Sequence, residues 1–120
     1  MDESWTEALA RAQAEDAYAE GRWPSCEGAV HAAYATALVR FHPFWSMLRL
    51  CFSTEPIPGG EIVPVSIGCV GGPPQYLTWW GHPYEWPAEK ALLTESATEA
   101  AEMAALLAAV WADQREASGS

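Results

Sequence analysis

The chain has no asparagine and a single lysine, Lys90. The first absence removes any N-glycosylation acceptor. The second leaves only five arginines beside that lysine to offset sixteen acids, a net charge of −10. A body of this size and sign repels nucleic acid and anionic membrane at physiological salt. Long apolar runs are missing too. The longest, residues 103–112, falls well short of the roughly 20 residues a membrane helix needs. The acidic opening Met-Asp-Glu-Ser-Trp is followed by no apolar segment, so no signal peptide is expected. Cysteine is scarce and odd in number: Cys26, Cys51 and Cys69. With no Cys-x-x-Cys and no His-x-x-x-His, neither a disulfide framework nor a zinc site is expected, and no cofactor is called for. The thiols suit a reducing, cytoplasmic setting, where they act as small core residues.

What is present is charge at both ends and aromatic residues in the middle. Residues 1–27 and 85–120 each carry seven acids against two bases, whereas in residues 28–84 Glu55 and Glu61 balance Arg40 and Arg49. A chain of 120 residues is read as one domain, 1–120, able to bury a core without staples.

The periodicity predicts an α+β domain. Ser4-Trp5-Thr6-Glu7 has the spacing of a capping box and opens a helix over 5–20, closed by Gly21. Its apolar side is mostly alanine, so it reads as a lid. Ser25 caps a second helix, whose stripe Val30, Ala33, Tyr34, Ala37, Leu38, Phe41 carries it to His42, where Pro43 stops it. Alternation then predicts three strands in an antiparallel meander: 46–54, a second through Val63, Val65, Ile67 and Cys69, and 76–80. Pro64 makes the second strand an edge, bulged or broken. Pro87 suggests a short helical turn over 87–93. Ser96-Ala-Thr-Glu99 caps a long C-terminal helix over 97–116, packed on the sheet, with 113–120 as a fraying tail.

No catalytic constellation emerges. His31 and His42 fall on one predicted helix about 16 Å apart by rise, too far to share a metal. Cys69 in a glycine-rich turn would be a nucleophile only if His82 reached it; a small buried residue is the simpler reading. The glycines of 68–72 fit neither a phosphate loop nor a dinucleotide fingerprint. Glu95, Glu99 and Glu102 share a helix stripe without a histidine partner, which describes a solvated face. The chain is therefore read as a non-enzyme without a metal site.

The remaining signal is aromatic. Trp79 and Trp80 are adjacent on a strand and point to opposite faces. Leu77 shares a side with Trp79, which assigns Trp79 to the core and Trp80 outward. Trp80, His82, Tyr84, Glu85 and Trp86 then form an aromatic surface of the kind that makes interface hot spots. The leading expectation is a small acidic cytoplasmic protein-binding module. It would be an inhibitor, immunity-type or phage-encoded regulator that docks on a basic partner through this patch. The alternatives are a small-molecule binder or minor enzyme with an aromatic-walled pocket, and an accessory subunit of a larger assembly. Oligomeric state is not fixed by the sequence.

Overall fold

The computed structural model describes residues 1–70, 73–85 and 88–119. The order is α1 (Glu3–Ala19), α2 (Cys26–Tyr34), a 3₁₀ turn (Ala37–Arg40), β1 (His42–Ser46), β2 (Arg49–Ser53), β3 (Ile62–Val70), β4 (Gln75–Trp80), β5 (Glu89–Thr94) and α3 (Ala97–Gly119). The class is α+β, but the antiparallel sheet has five strands in the order β1-β2-β3-β4-β5, not three.

Of the two extra strands, β1 fills the gap between the expected helix end at His42 and the expected strand at 46, and β5 lies where a helical turn was expected. The apolar stripe from Val30 to Phe41 is real, since Val30, Ala33, Leu38 and Phe41 are all buried. The helix beneath it ends at Tyr34, however, because Thr36 competes for backbone groups: its hydroxyl donates to the Ala33 carbonyl and accepts from the Leu38 N–H. Pro43 then sits inside β1 instead of stopping a helix. The predicted strand over 46–54 is β2 preceded by the last residue of β1 and a turn at Met47-Leu48, both at positive φ (49° and 62°). This is a two-residue hairpin turn built without the usual Asn or Gly. β5 (Glu89–Thr94) takes the place of most of the helical turn expected over 87–93, whose first residue, Pro87, lies outside the described residues. Its helix-forming residues are overridden by pairing with β4 from Trp80↔Glu89 to Tyr76↔Thr94.

β3 is central, and Pro64 is accommodated by a bulge. Cys51 pairs with Ser66, whereas Ser53 pairs with Ile62, so the missing donor falls in the irregularity. The Pro64 carbonyl still accepts from the Gly81 N–H at 2.8 Å.

Helix ends follow cap chemistry. Asp2, not Ser4, caps α1, accepting from the Trp5 N–H. Ser25 caps α2 and Ser96 caps α3, as expected. α3 continues through the expected fraying tail to Gly119.

All three helices pack on one face of the sheet. Val63, Val65, Ile67 and Cys69 of β3 meet Val30 and Ala33 of α2 and Ala100, Ala101, Ala104 and Ala108 of α3. α1 is not a lid. Trp5 is 1% exposed at the core centre, where its Nε1–H donates to the Phe41 carbonyl at 3.0 Å.

β4 shows which tryptophan faces which way. Tyr76 and Thr78 donate to carbonyls on the helix side (Ser25 and Ala100, both 2.8 Å), and Trp80 packs with them against the core. The expected orientation is thus reversed: Trp80 turns toward the helices and Trp79 away. On that second face Trp79 lies opposite Ser66, with the Arg49 guanidinium 4.9 Å from its ring centroid. Arg49 also donates to the Ser66 hydroxyl at 3.0 Å. Gly68 leaves room for the indole, because a Cβ there would stand 3.3 Å from Trp79 Nε1.

Candidate functional site

The sheet register gathers separate segments at one end. His42, Ser53 and Ile62 are successive partners across β1, β2 and β3, while Trp80 pairs with Val65 and Glu89 across β3, β4 and β5. The segments 54–61 and 81–85 therefore leave from the same end. α1 begins there, because Ser4 meets His42, and the last turns of α3 arrive there, because Arg115 pairs with Glu61.

At the α1–β1 edge this end opens into a cleft of about 420 Å³. It is lined by the polar side chains of Asp2, Glu3, Ser4, Glu7 and His42 and by the apolar Pro43, Phe44, Pro56 and Ile57, the last two themselves exposed. Ser4 Oγ lies 2.8 Å from Asp2 Oδ1 and 2.9 Å from His42 Nδ1. The carboxylate can only accept, so the single hydroxyl proton goes to Asp2 and His42 Nδ1–H donates to Ser4 Oγ. The Ser4 hydroxyl, with help from the Trp5 N–H, holds the Asp2 carboxyl below its ordinary value. This Asp–Ser–His order is not that of a catalytic triad, in which the imidazole takes the serine proton and the carboxylate orients the imidazole. It is a helix cap extended to the sheet edge. Its effect is to keep an anion at the cleft mouth and to fix the His42 ring.

The expected patch is only partly assembled. Tyr84 is 61% exposed and Glu85 is exposed beside it. His82 is half-buried, its ring 5.9 Å from that of Tyr84, and its Nδ1 accepts from the Tyr84 N–H at 3.2 Å. Trp80 is on the helix side, and Trp86 lies outside the described residues. The loop therefore presents Tyr84 and Glu85, backed by His82, at the sheet end that also holds the cleft.

Other combinations fall apart. Cys69 pairs with Tyr76, several strand positions from the end where His82 lies, and its neighbour is instead Cys26, with the sulfurs 3.5 Å apart. The Cys26 thiol and burial both raise the Cys69 pKa, and burial pushes Cys51 up to about 12, so both stay protonated near neutrality. His31 faces Glu27 on α2, on a different element from His42. Among the described residues no group of three or more His, Cys, Asp or Glu side chains is placed to hold a metal. No helix there is long and apolar enough to cross a membrane.

The cleft is not legible in the sequence because its halves are about forty residues apart and Pro43-Phe44-Trp45 reads as a break between a helix and a strand, not as β1. The legible trace was the acidic start together with the apolar, proline-rich segments 43–45 and 56–58. No protein-family model, curated protein or solved structure matches the chain.

Proposed function

We propose that the protein is a cytoplasmic binding module of the inhibitor or regulator type, which docks on a basic surface of a partner protein with this end of the sheet. One observation carries the reading: the cleft's lining combines the apolar Phe44, Pro56 and Ile57 with the carboxylates Asp2, Glu3 and Glu7. A lysine or arginine has the same two-part build, an apolar stem and a charged head. Inserted there, its stem lies against the apolar side chains and its head meets the carboxylates. Tyr84 and Glu85 extend the contact across the sheet end, and the net charge of −10 steers encounter with a basic surface.

The test is affinity capture from lysate of the source organism at low and moderate salt. It compares the wild-type chain with a Glu3→Lys/Glu7→Lys variant. The expected result is one stoichiometric basic partner, weakened by salt and lost with the variant. Equal capture by both proteins removes the cleft from the interface.

The cleft volume also falls within the range of small-molecule sites, roughly 300–1,000 Å³. This favours a second reading, a binder of a small organic cation. Titration of the isolated protein with alkylamines and guanidines, followed by shifts of the His42 ring resonances, separates it from the first.

A further inference from the structure

The helix α3 is apolar nearly all round. Its inner side supplies Ala100, Ala101, Ala104 and Ala108 to the core. Its outer side also carries large apolar groups: Leu106 is 60% exposed, Val110 is 43% exposed and Met103 is half-buried. A helix without a polar outer face is normally covered by something. The spacing is ordered. Glu99, Met103, Leu106, Val110 and Asp113 follow one another at steps of four, three, four and three, the seam of a helix that receives another helix. The acids are arranged around the apolar part. Glu99 and Asp113 stand at its two ends, Glu102 lies beside it next to Met103, and Glu116 follows one turn beyond Asp113. The one cation of this helix, Arg115, is turned to Glu61 and to the Trp111 ring, 4.7 Å from its centroid.

We propose that this ridge is a docking surface for an amphipathic helix with basic flanks, supplied by the partner. The inference rests on the reading that the partner is basic, and it specifies the element the partner offers. Charge selects the occupant. A second copy of α3 would set Glu99, Glu102, Asp113 and Glu116 against the same four carboxylates or one another, in either orientation. A basic helix meets all four and buries Met103, Leu106 and Val110 with its own apolar seam.

The probes are three labelled synthetic peptides of three heptads at physiological salt. One has leucine at the seam and lysine or arginine on the flanks; a second keeps the basic residues with serine at the seam; the third keeps the leucines with glutamate flanks. Anisotropy reads binding, and circular dichroism reads induced helix. The basic amphipathic peptide binds and gains helix, the other two bind at least tenfold more weakly, and a Leu106→Ser/Val110→Ser variant loses at least tenfold. Both substitutions are at exposed positions, and an unchanged circular dichroism spectrum of the protein confirms its fold. Absence of binding overturns the proposal, as does equal binding by the serine-seam peptide or by the double variant. Self-association of the wild type that disappears in the double variant also overturns it, because the occupant is then a second copy. If Glu3→Lys/Glu7→Lys abolishes peptide binding while the ridge variant retains it, the peptide sits in the cleft. The ridge is then excluded and the basic-partner reading stands.

Discussion

The two faces of the sheet bury side chains by different means. On the helix side, Leu50, Phe52, Val63, Val65 and Ile67 vanish beneath three helices. On the other side Cys51, Ser66 and Leu77 are also buried, although no helix among the described residues lies over them. There the cover comes from the sheet itself: Arg49 lies across Ser66 and against Trp79. One face excludes water with a second layer of backbone. The other does so with two long side chains lying flat. The first is a cooperative core in which a lost group leaves a cavity. The second is a surface that can rearrange when a side chain is removed.

Substitutions can break this contrast, beginning with the largest effect. Trp5→Ala removes the central ring of the covered side and its bond to the Phe41 carbonyl, and is expected to cost about 3–5 kcal/mol in urea denaturation. Next come the adjacent tryptophans. Trp80→Ala, on the covered side, is expected to cost about 2–3 kcal/mol, and Trp79→Ala, on the bare side, about 1 kcal/mol. Equal losses would mean that the two faces are equivalent.

Tyr76 sharpens the comparison by pH. Burial is the main force, with Cys69, Asp16 and Cys26 adding to it, that lifts its phenol to about 12 from an ordinary 10. The folded state holds this proton more tightly than the unfolded state. Its contribution is therefore intact below pH 10 and lost as pH rises from 10 to 12. Stability measured across that window should fall less steeply in Tyr76→Phe. At neutral pH that variant should cost about 1 kcal/mol for the lost bond to the Ser25 carbonyl. The smallest effect belongs to Arg49→Met. Two changes offset there: the buried Arg49 Nε without a hydrogen-bond partner among the described residues is removed, and the bond to the Ser66 hydroxyl is lost, so the net change is expected to stay below about 1 kcal/mol.

The same contrast explains what could be read from the sequence. The Ser25 and Ser96 caps, α3, and the strand positions of β3 and β4 were legible because each is a local pattern. Trp79 and Trp80 were assigned the wrong way round because Leu77 was taken as a core residue. It is buried, but on the face without helices, and alternation alone does not say which face that is. Met47-Leu48 carries no turn chemistry, so the β1–β2 hairpin was invisible. The segment 89–94 is written in helix-forming residues and becomes a strand because β4 offers a free edge. Of the candidate site, Tyr84 and Glu85 were legible as an exposed pair. The cleft was not, because it exists only once β1 is a strand and α1 is anchored to it through Ser4 and His42.

The clamp of Arg49 on Trp79, with Lys90 paired opposite the same tryptophan, has an electrical consequence. Two of the six cations lie on one side of the sheet, and the carboxylates of α1, α2 and α3 lie on the other. The molecule is thus a dipole as well as a net anion, with its axis running across the sheet. In the field of a positively charged surface it experiences a torque that turns the helices forward and the tryptophan face away. Such a surface would therefore meet the exposed Leu106 and Val110 of α3 before it met Trp79.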